Sequence, residues 1–146
     1  MSDIAYMQRA LDLAGRMVGQ TQPNPAVGCV IVKNGAVIAE AATAAGGRPH
    51  AEEQALALAG AAARGATAYV TLEPCAQRSS GAASCADLLL QAGVTRVVIA
   101  AADPHPLAAS IGPARLRAAG IAVEEGLLSG EARAQNADFF ASVPKA

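Results

Sequence analysis

The sequence predicts an α/β domain, with helices layered on both sides of a mixed sheet in an α/β/α sandwich. Three observations carry that expectation. An Asn34-Gly35 pair separates two short apolar runs, the mark of a tight antiparallel hairpin. Beyond residue 50 the chain alternates between helical and strand patterns. The composition, 53% hydrophobic over 146 residues with a formal net charge of −1, suits one folded domain over residues 1–146.

Each element has a local reason. Ser2-Asp3 offers a cap, and Ile4, Met7, Leu11, Ala14 and Val18 then recur at helical spacing up to Gly19. Gln22-Pro23-Asn24-Pro25 is a loop, because two prolines forbid regular structure there. Residues 27–33 read as a strand, and 36–40 return antiparallel to it. Gly46-Gly47-Arg48-Pro49 is loop, and 51–63 is helix. Strand 67–72, helix 84–92 and a continuous apolar strand 94–101 follow. Residues 113–119 are expected as helix, 121–125 as a short strand and 129–141 as a last helix. Cys29, inside the apolar run Gly28-Cys29-Val30-Ile31-Val32, reads as core.

Composition also bounds function. Aromatics are 3%, tryptophan is absent and charge is near neutral, so no nucleic-acid surface is expected. The longest apolar runs are alanine-rich, short and broken by glycine, so no membrane span is expected. No signal peptide is recognised, and a cytoplasmic location follows as an expectation. Three cysteines are an odd count, which favours metal or catalytic use over a disulfide framework. Many alanines and glycines on the expected helices permit close packing in a homodimer or larger homo-oligomer.

The chemistry sits in His50-Ala51-Glu52, Pro74-Cys75 and Cys85. One imidazole and two thiolates can hold Zn²⁺ and leave the fourth tetrahedral position open. His50 and Cys85 both fall at expected helix starts, where a side chain need not follow the spiral and a thiolate is favoured. Glu52 is not needed as a ligand, so it can move protons. Taken singly, each residue has a plainer reading: a loop histidine, two buried cysteines, an acid in a first helical turn. The joint pattern changes the odds. A structural zinc usually takes four ligands, there is no fourth cysteine, and the only other histidine is His105. The expected reaction is hydrolytic deamination. Glu52 takes a proton from an activated water and returns it to a ring nitrogen and to the leaving amine, which departs as ammonia.

Seven stretches carry a resemblance. They are Thr21-Gln22-Pro23-Asn24-Pro25-Ala26-Val27-Gly28-Cys29-Val30-Ile31-Val32, Pro49-His50-Ala51-Glu52, Ala66-Thr67-Ala68-Tyr69-Val70-Thr71-Leu72-Glu73-Pro74-Cys75, Gly93-Val94-Thr95-Arg96-Val97-Val98, Asp103-Pro104, Arg115-Leu116-Arg117-Ala118-Ala119-Gly120-Ile121 and Asn136-Ala137-Asp138-Phe139-Phe140. Together they resemble the deaminase half of the bifunctional riboflavin-biosynthesis deaminase/reductase family, within the cytidine-deaminase-like superfamily. The resemblance implies a three-layer fold with a five-stranded sheet, zinc on His50, Cys75 and Cys85, and Glu52 as the proton shuttle. It implies a substrate contact for Asn24. Ala51, Gln77 and Arg78 complete the expected substrate-binding set.

The sequence also departs from that family, and a stand-alone deaminase is expected. Ala41-Ala42-Thr43 stands where the family usually has Gly-Trp-His, Gln77 replaces a histidine, and Ser110-Ile111-Gly112 stands for Gly-Lys-Gly. The family would use the lost groups around a ribose phosphate, for which Arg48 and Arg78 are the available replacements. The leading expectation is therefore a zinc hydrolase that deaminates a small amino-pyrimidine or related ring without that phosphate. One alternative is a genuine riboflavin-pathway diaminohydroxyphosphoribosylaminopyrimidine deaminase acting beside a separate reductase. Another is a non-catalytic binding protein on a deaminase scaffold.

Overall fold

The computed structural model describes residues 2–75, 84–105 and 109–142. Its first helix, α1 (Asp3–Gly15), begins where Ser2 Oγ accepts the Ala5 N–H. The helix ends short of Gly19. Past Gly15 the backbone closes three-residue turns, Met17 N–H to Ala14 O and Gln20 N–H to Met17 O. The buried stripe is Tyr6, Met7, Ala10, Leu11 and Ala14, while Ile4 and Val18 are exposed. Tyr6, Ala10 and Ala14 are spaced by four, so they form a stripe that competes with the one expected from Ile4 and Val18.

The hairpin is as anticipated. Strands β1 (Gly28–Lys33) and β2 (Ala36–Ala42) flank Asn34 and Gly35, both with positive φ (53° and 76°). Strands β3 (Thr67–Leu72), β4 (Arg96–Ala101) and β5 (Ala122–Glu125) complete a five-stranded sheet of order β2-β1-β3-β4-β5. β1 is antiparallel to both neighbours, whereas β3, β4 and β5 run parallel. β4 starts two residues later than expected, after Gly93 takes the left-handed cap of the preceding helix.

The remaining helices are α2 (Ala51–Ala59), α3 (Cys85–Ala92), α4 (Ile111–Ala118), α5 (Ser129–Gln135) and α6 (Ala137–Ser142). α1 and α5 cover one face of the sheet; α2, α3 and α4 form the layer on the other. The expected helix over 51–63 stays regular only to Ala59. Gly60 (φ 56°, ψ −136°) turns it into a short 3-10 segment, Gly60–Ala63. The expected single helix over 129–141 is two helices, broken at Asn136 (φ −112°, ψ 37°). Asn136 spends its side chain on the backbone of Ala26, 110 residues away, and that long-range contact overrides local periodicity. No described helix is long and apolar enough to cross a membrane.

α1 lies so close to β1 that only glycine fits at position 28. A Cβ there would stand 1.9 Å from the Ala10 carbonyl oxygen. Gly28→Ala is therefore expected to destabilise the fold by about 3 kcal/mol, the upper end of the usual overpacking cost. Equilibrium denaturation checks this, and an unchanged midpoint would mean that α1 is not seated there.

At its other end α1 is tied by charge. Arg96 on β4 makes two hydrogen bonds to the Asp3 carboxylate, at 2.7 and 3.0 Å, and also pairs with Glu124; Tyr69 O–H donates to the same carboxylate. Arg96 and then Tyr69 hold the Asp3 carboxyl down from 3.8 to about 2. A depressed folded-state value stabilises the protein above the unfolded value and is lost as pH falls through the folded one. The thermal stability lost in Asp3→Asn should thus be constant above pH ~5 and vanish towards pH ~2. Melting curves of both proteins across that range test it.

Candidate active site

β3 and β4 are parallel, so their carboxyl ends open on the same edge of the sheet, where α/β sheets place their ligand sites. Leu72 ends β3 and Glu73-Pro74-Cys75 continues from it. Glu73 is 5% exposed, and its carboxylate accepts the Asp103 N–H at 3.1 Å and the Ser110 N–H at 2.6 Å. Burial pushes that carboxyl up and the two N–H donors pull it back. The segment after β4 is in this way held against the end of β3. Gly112 belongs to the same lock, because a Cβ there would stand 2.2 Å from the Pro74 carbonyl oxygen.

Two helix starts then bring the sulfurs and the imidazole together. Ser84 Oγ accepts the Asp87 N–H and caps α3, which makes Cys85 its first residue. The Cys85 N–H donates to Cys75 Sγ at 3.2 Å, and the Ala86 N–H donates to the Cys75 carbonyl. A helix N-terminus thus points at Cys75 and favours its thiolate. His50 stands just before α2 in extended backbone (φ −69°, ψ 160°), off the helical spiral. Its N–H donates to Glu53 Oε1 at 3.0 Å, half of a capping box. Its Nδ1 lies 3.4 Å from Cys85 Sγ, and the ligand atoms of His50, Cys75 and Cys85 all lie within 4.8 Å of one another. Tetrahedral zinc with ordinary Zn–N and Zn–S bonds separates such donors by about 3.5 Å, so the donor set and its spacing fit zinc.

Glu52 sits beside this cluster, 4% exposed. Burial, with the neighbouring Cys75 adding to it, raises its carboxyl from 4.5 to about 7; its backbone hydrogen bond, His50 and Cys85 oppose the rise. A carboxyl with such a value is suited to both taking and giving a proton near neutrality. Cys29, wholly buried, has its thiol pushed well up by burial and then by Glu52, in keeping with core.

A cavity of about 200 Å³ opens onto His50, Glu52 and Cys75. Its other walls are Asn24, Pro25, Val27, Thr43, Leu72, Glu73, Asp103 and Phe139. Asn24 is fixed from two sides. Thr21 Oγ1 donates to its carbonyl at 2.8 Å, and its Nδ2 donates to the Gly47 carbonyl at 3.0 Å. Gly47 must be glycine: its φ is 94° and a Cβ would lie 2.5 Å from Asn24 Nδ2.

The structure thus brings together His50, Glu52, Cys75, Cys85 and Asn24. Ala51 is fully buried in the core and does not line the cavity. Arg48 is exposed and lines none of it; His105 sits on the loop after β4, outside the ligand cluster. Gln77 and Arg78 lie outside the described residues. Sequence reasoning missed Thr43, Glu73, Asp103 and Phe139 as wall residues. Glu73, Asp103 and Phe139 lay inside motifs already noted, but neither period nor spacing said which way they face.

Residues 1–101 match the family described as the cytidine and deoxycytidylate deaminase zinc-binding region. That match covers more than half of the chain, so the chain belongs to this family of zinc-binding deaminases, and the His50–Cys75–Cys85 cluster is its candidate zinc site. The chain is 50% identical over 139 residues to the riboflavin biosynthesis protein RibD of Escherichia coli K12, covering 95% of this chain and 38% of that protein. It is 45% identical over 140 residues to the diaminohydroxyphosphoribosylamino-pyrimidine deaminase of Buchnera aphidicola from Acyrthosiphon pisum, covering 96% of this chain and 95% of that protein. The structure of Acinetobacter baumannii RibD superposes with a TM-score of 0.92 at 47% identity, over 96% of this chain and 39% of that one. The chain belongs to the riboflavin-biosynthesis deaminase family, and it spans less than half the length of the RibD relatives it matches.

Proposed function

We propose that this chain deaminates diaminohydroxyphosphoribosylamino-pyrimidine, using zinc held by His50, Cys75 and Cys85 as one catalytic domain. The observation that carries the reading is the three-ligand cluster with the buried Glu52 beside it, on the wall of one cavity. The likeness to a deaminase of that name over 95% of its length supports the substrate. One of the departures that pointed to another substrate has a structural role here: Thr43 Oγ1 accepts the Val27 N–H at 3.0 Å. Gly112, which allows α4 to close on Pro74, keeps the family's glycine.

Zinc in this cluster would supply Lewis-acid activation of a water in its open fourth position. The protein's own residues do the rest. The cavity takes the pyrimidine ring, with Val27, Pro25 and Leu72 excluding bulk water and Asn24 offering an amide to its polar edge. Glu52 accepts a proton as oxygen bonds to the ring carbon that bears the amine. Glu52 then gives that proton to the adjacent ring nitrogen. A second proton, from the attacking oxygen, goes through Glu52 to the amine; the C–N bond breaks, ammonia leaves and the ring carbonyl remains.

A second reading is favoured by one observation. Among the described cavity walls there is no Lys or Arg, as would suit an amino-heterocycle lacking the ribose phosphate. Ammonia release by zinc-loaded protein on the phosphorylated pyrimidine and on its dephosphorylated form separates the two. Turnover of the phosphorylated form alone or preferentially supports the proposal. Preference for the dephosphorylated form supports the second reading. Failure on both, with zinc at one per chain, overturns the proposed substrate.

A further inference from the structure

The break between α5 and α6 has a consequence for the site. Ala26 precedes β1 and has no ladder partner, yet both its backbone groups are satisfied by one side chain. The Ala26 N–H donates to Asn136 Oδ1 at 2.9 Å and Asn136 Nδ2 donates to the Ala26 carbonyl at 2.8 Å. The amide takes the place of a neighbouring strand. Next to it, Gln135 Nε2 donates to the Leu11 carbonyl near the end of α1 at 2.6 Å. Two successive amides therefore dock the α5–α6 corner, Asn136 onto the loop that carries Asn24 and Gln135 onto α1.

From that corner α6 runs over the site. Arg133 on α5 stands 5.0 Å from the centre of the Phe140 ring, and Phe140 meets Phe139 edge to face at 5.8 Å. These contacts set the direction of Phe139. Its side chain borders both the 200 Å³ cavity and a larger groove of about 730 Å³ between the Asn24 loop and the α5–α6 corner. Phe139 stands between the two together with Asn24 and Pro25, and it is the sole Phe, Tyr or Trp among the described walls of the site cavity. A flat apolar ring at the edge of a cavity for planar heterocycles is a stacking surface.

We infer that Phe139 is the wall against which the substrate ring packs, and that Asn136 is the positioning residue that sets Phe139 and Asn24 on the same cavity. This rests on the deaminase reading above. Phe139 is not one of the three clustered ligand groups, so its loss should spare the metal.

The test uses the zinc-loaded chain. Phe139→Ala should raise KM for the phosphorylated pyrimidine about tenfold with zinc still at one per chain, and Phe139→Tyr should restore it. Asn136→Ala should raise KM in the same direction without loss of zinc. A fall in melting temperature with KM unchanged would reduce Asn136 to a structural role and overturn its part. The protein has no tryptophan, so Phe139→Trp adds a clean reporter. Its fluorescence should be quenched saturably by the phosphorylated pyrimidine and by 2,4-diaminopyrimidine. Unchanged KM in Phe139→Ala together with no quench overturns the wall while leaving the function standing. A saturable quench without any turnover by wild type overturns the substrate and keeps the wall. No turnover and no quench removes both.

Discussion

Replacing Glu52 with glutamine should leave a folded, zinc-loaded protein that releases ammonia about 10²–10⁴ times more slowly. The substitution keeps the size of the side chain and its ability to accept a hydrogen bond. It removes only the capacity to take and return a proton. The expectation follows from position: Glu52 is buried at 4% exposure on the cavity wall, beside the His50–Cys75–Cys85 cluster. Its neighbour provides an internal control. Glu53 Oε1 accepts the His50 N–H, and Glu53→Gln keeps an acceptor there, so its effect should be far smaller. Steady-state rates with zinc content measured on the same samples decide the matter. A Glu52→Gln protein as fast as wild type would remove Glu52 from the chemistry.

The second large effect is expected at Cys85. Cys85→Ala should abolish stoichiometric zinc and, with it, activity. Its sulfur is fully buried and lies 3.4 Å from His50 Nδ1, so no solvent ligand replaces it without rearrangement. Two remaining protein ligands are fewer than catalytic zinc sites use. Because zinc binds the folded state, its loss also lowers stability. Wild type treated with a chelator should therefore melt lower, towards the Cys85→Ala protein, while the variant should ignore the chelator. Backbone geometry is spared in this test, since the N–H that faces Cys75 Sγ belongs to the main chain and survives the substitution. Elemental analysis showing one zinc per chain in Cys85→Ala would overturn the ligand assignment.

Much of the site was legible in the sequence because its chemistry is rare. His-x-Glu before a helix, a Pro-Cys after a strand and a cysteine opening another helix restrict one another even without coordinates. The structure does bring those side chains to one point. The cavity walls were not legible in the same way. Thr43, Asp103 and Phe139 come from the end of β2, the end of β4 and the chain's last helix, and ordinary residue types at such places carry no signal of convergence.

What the sequence by itself determined is local. The Asn34-Gly35 turn sets the hairpin because only residues tolerant of positive φ can make it. The Ser84 cap sets where Cys85 begins α3, and apolar runs set the strands. Only the tertiary structure decided the order β2-β1-β3-β4-β5, which puts the ends of β3 and β4 beside the start of α2. It alone decided that the expected last helix breaks at Asn136, where a long-range partner outweighs a periodicity that local rules would extend; α1 stops at Gly15 in local three-residue turns. Asn136 answers two backbone groups of Ala26, which would otherwise lack partners, at the cost of one helical turn.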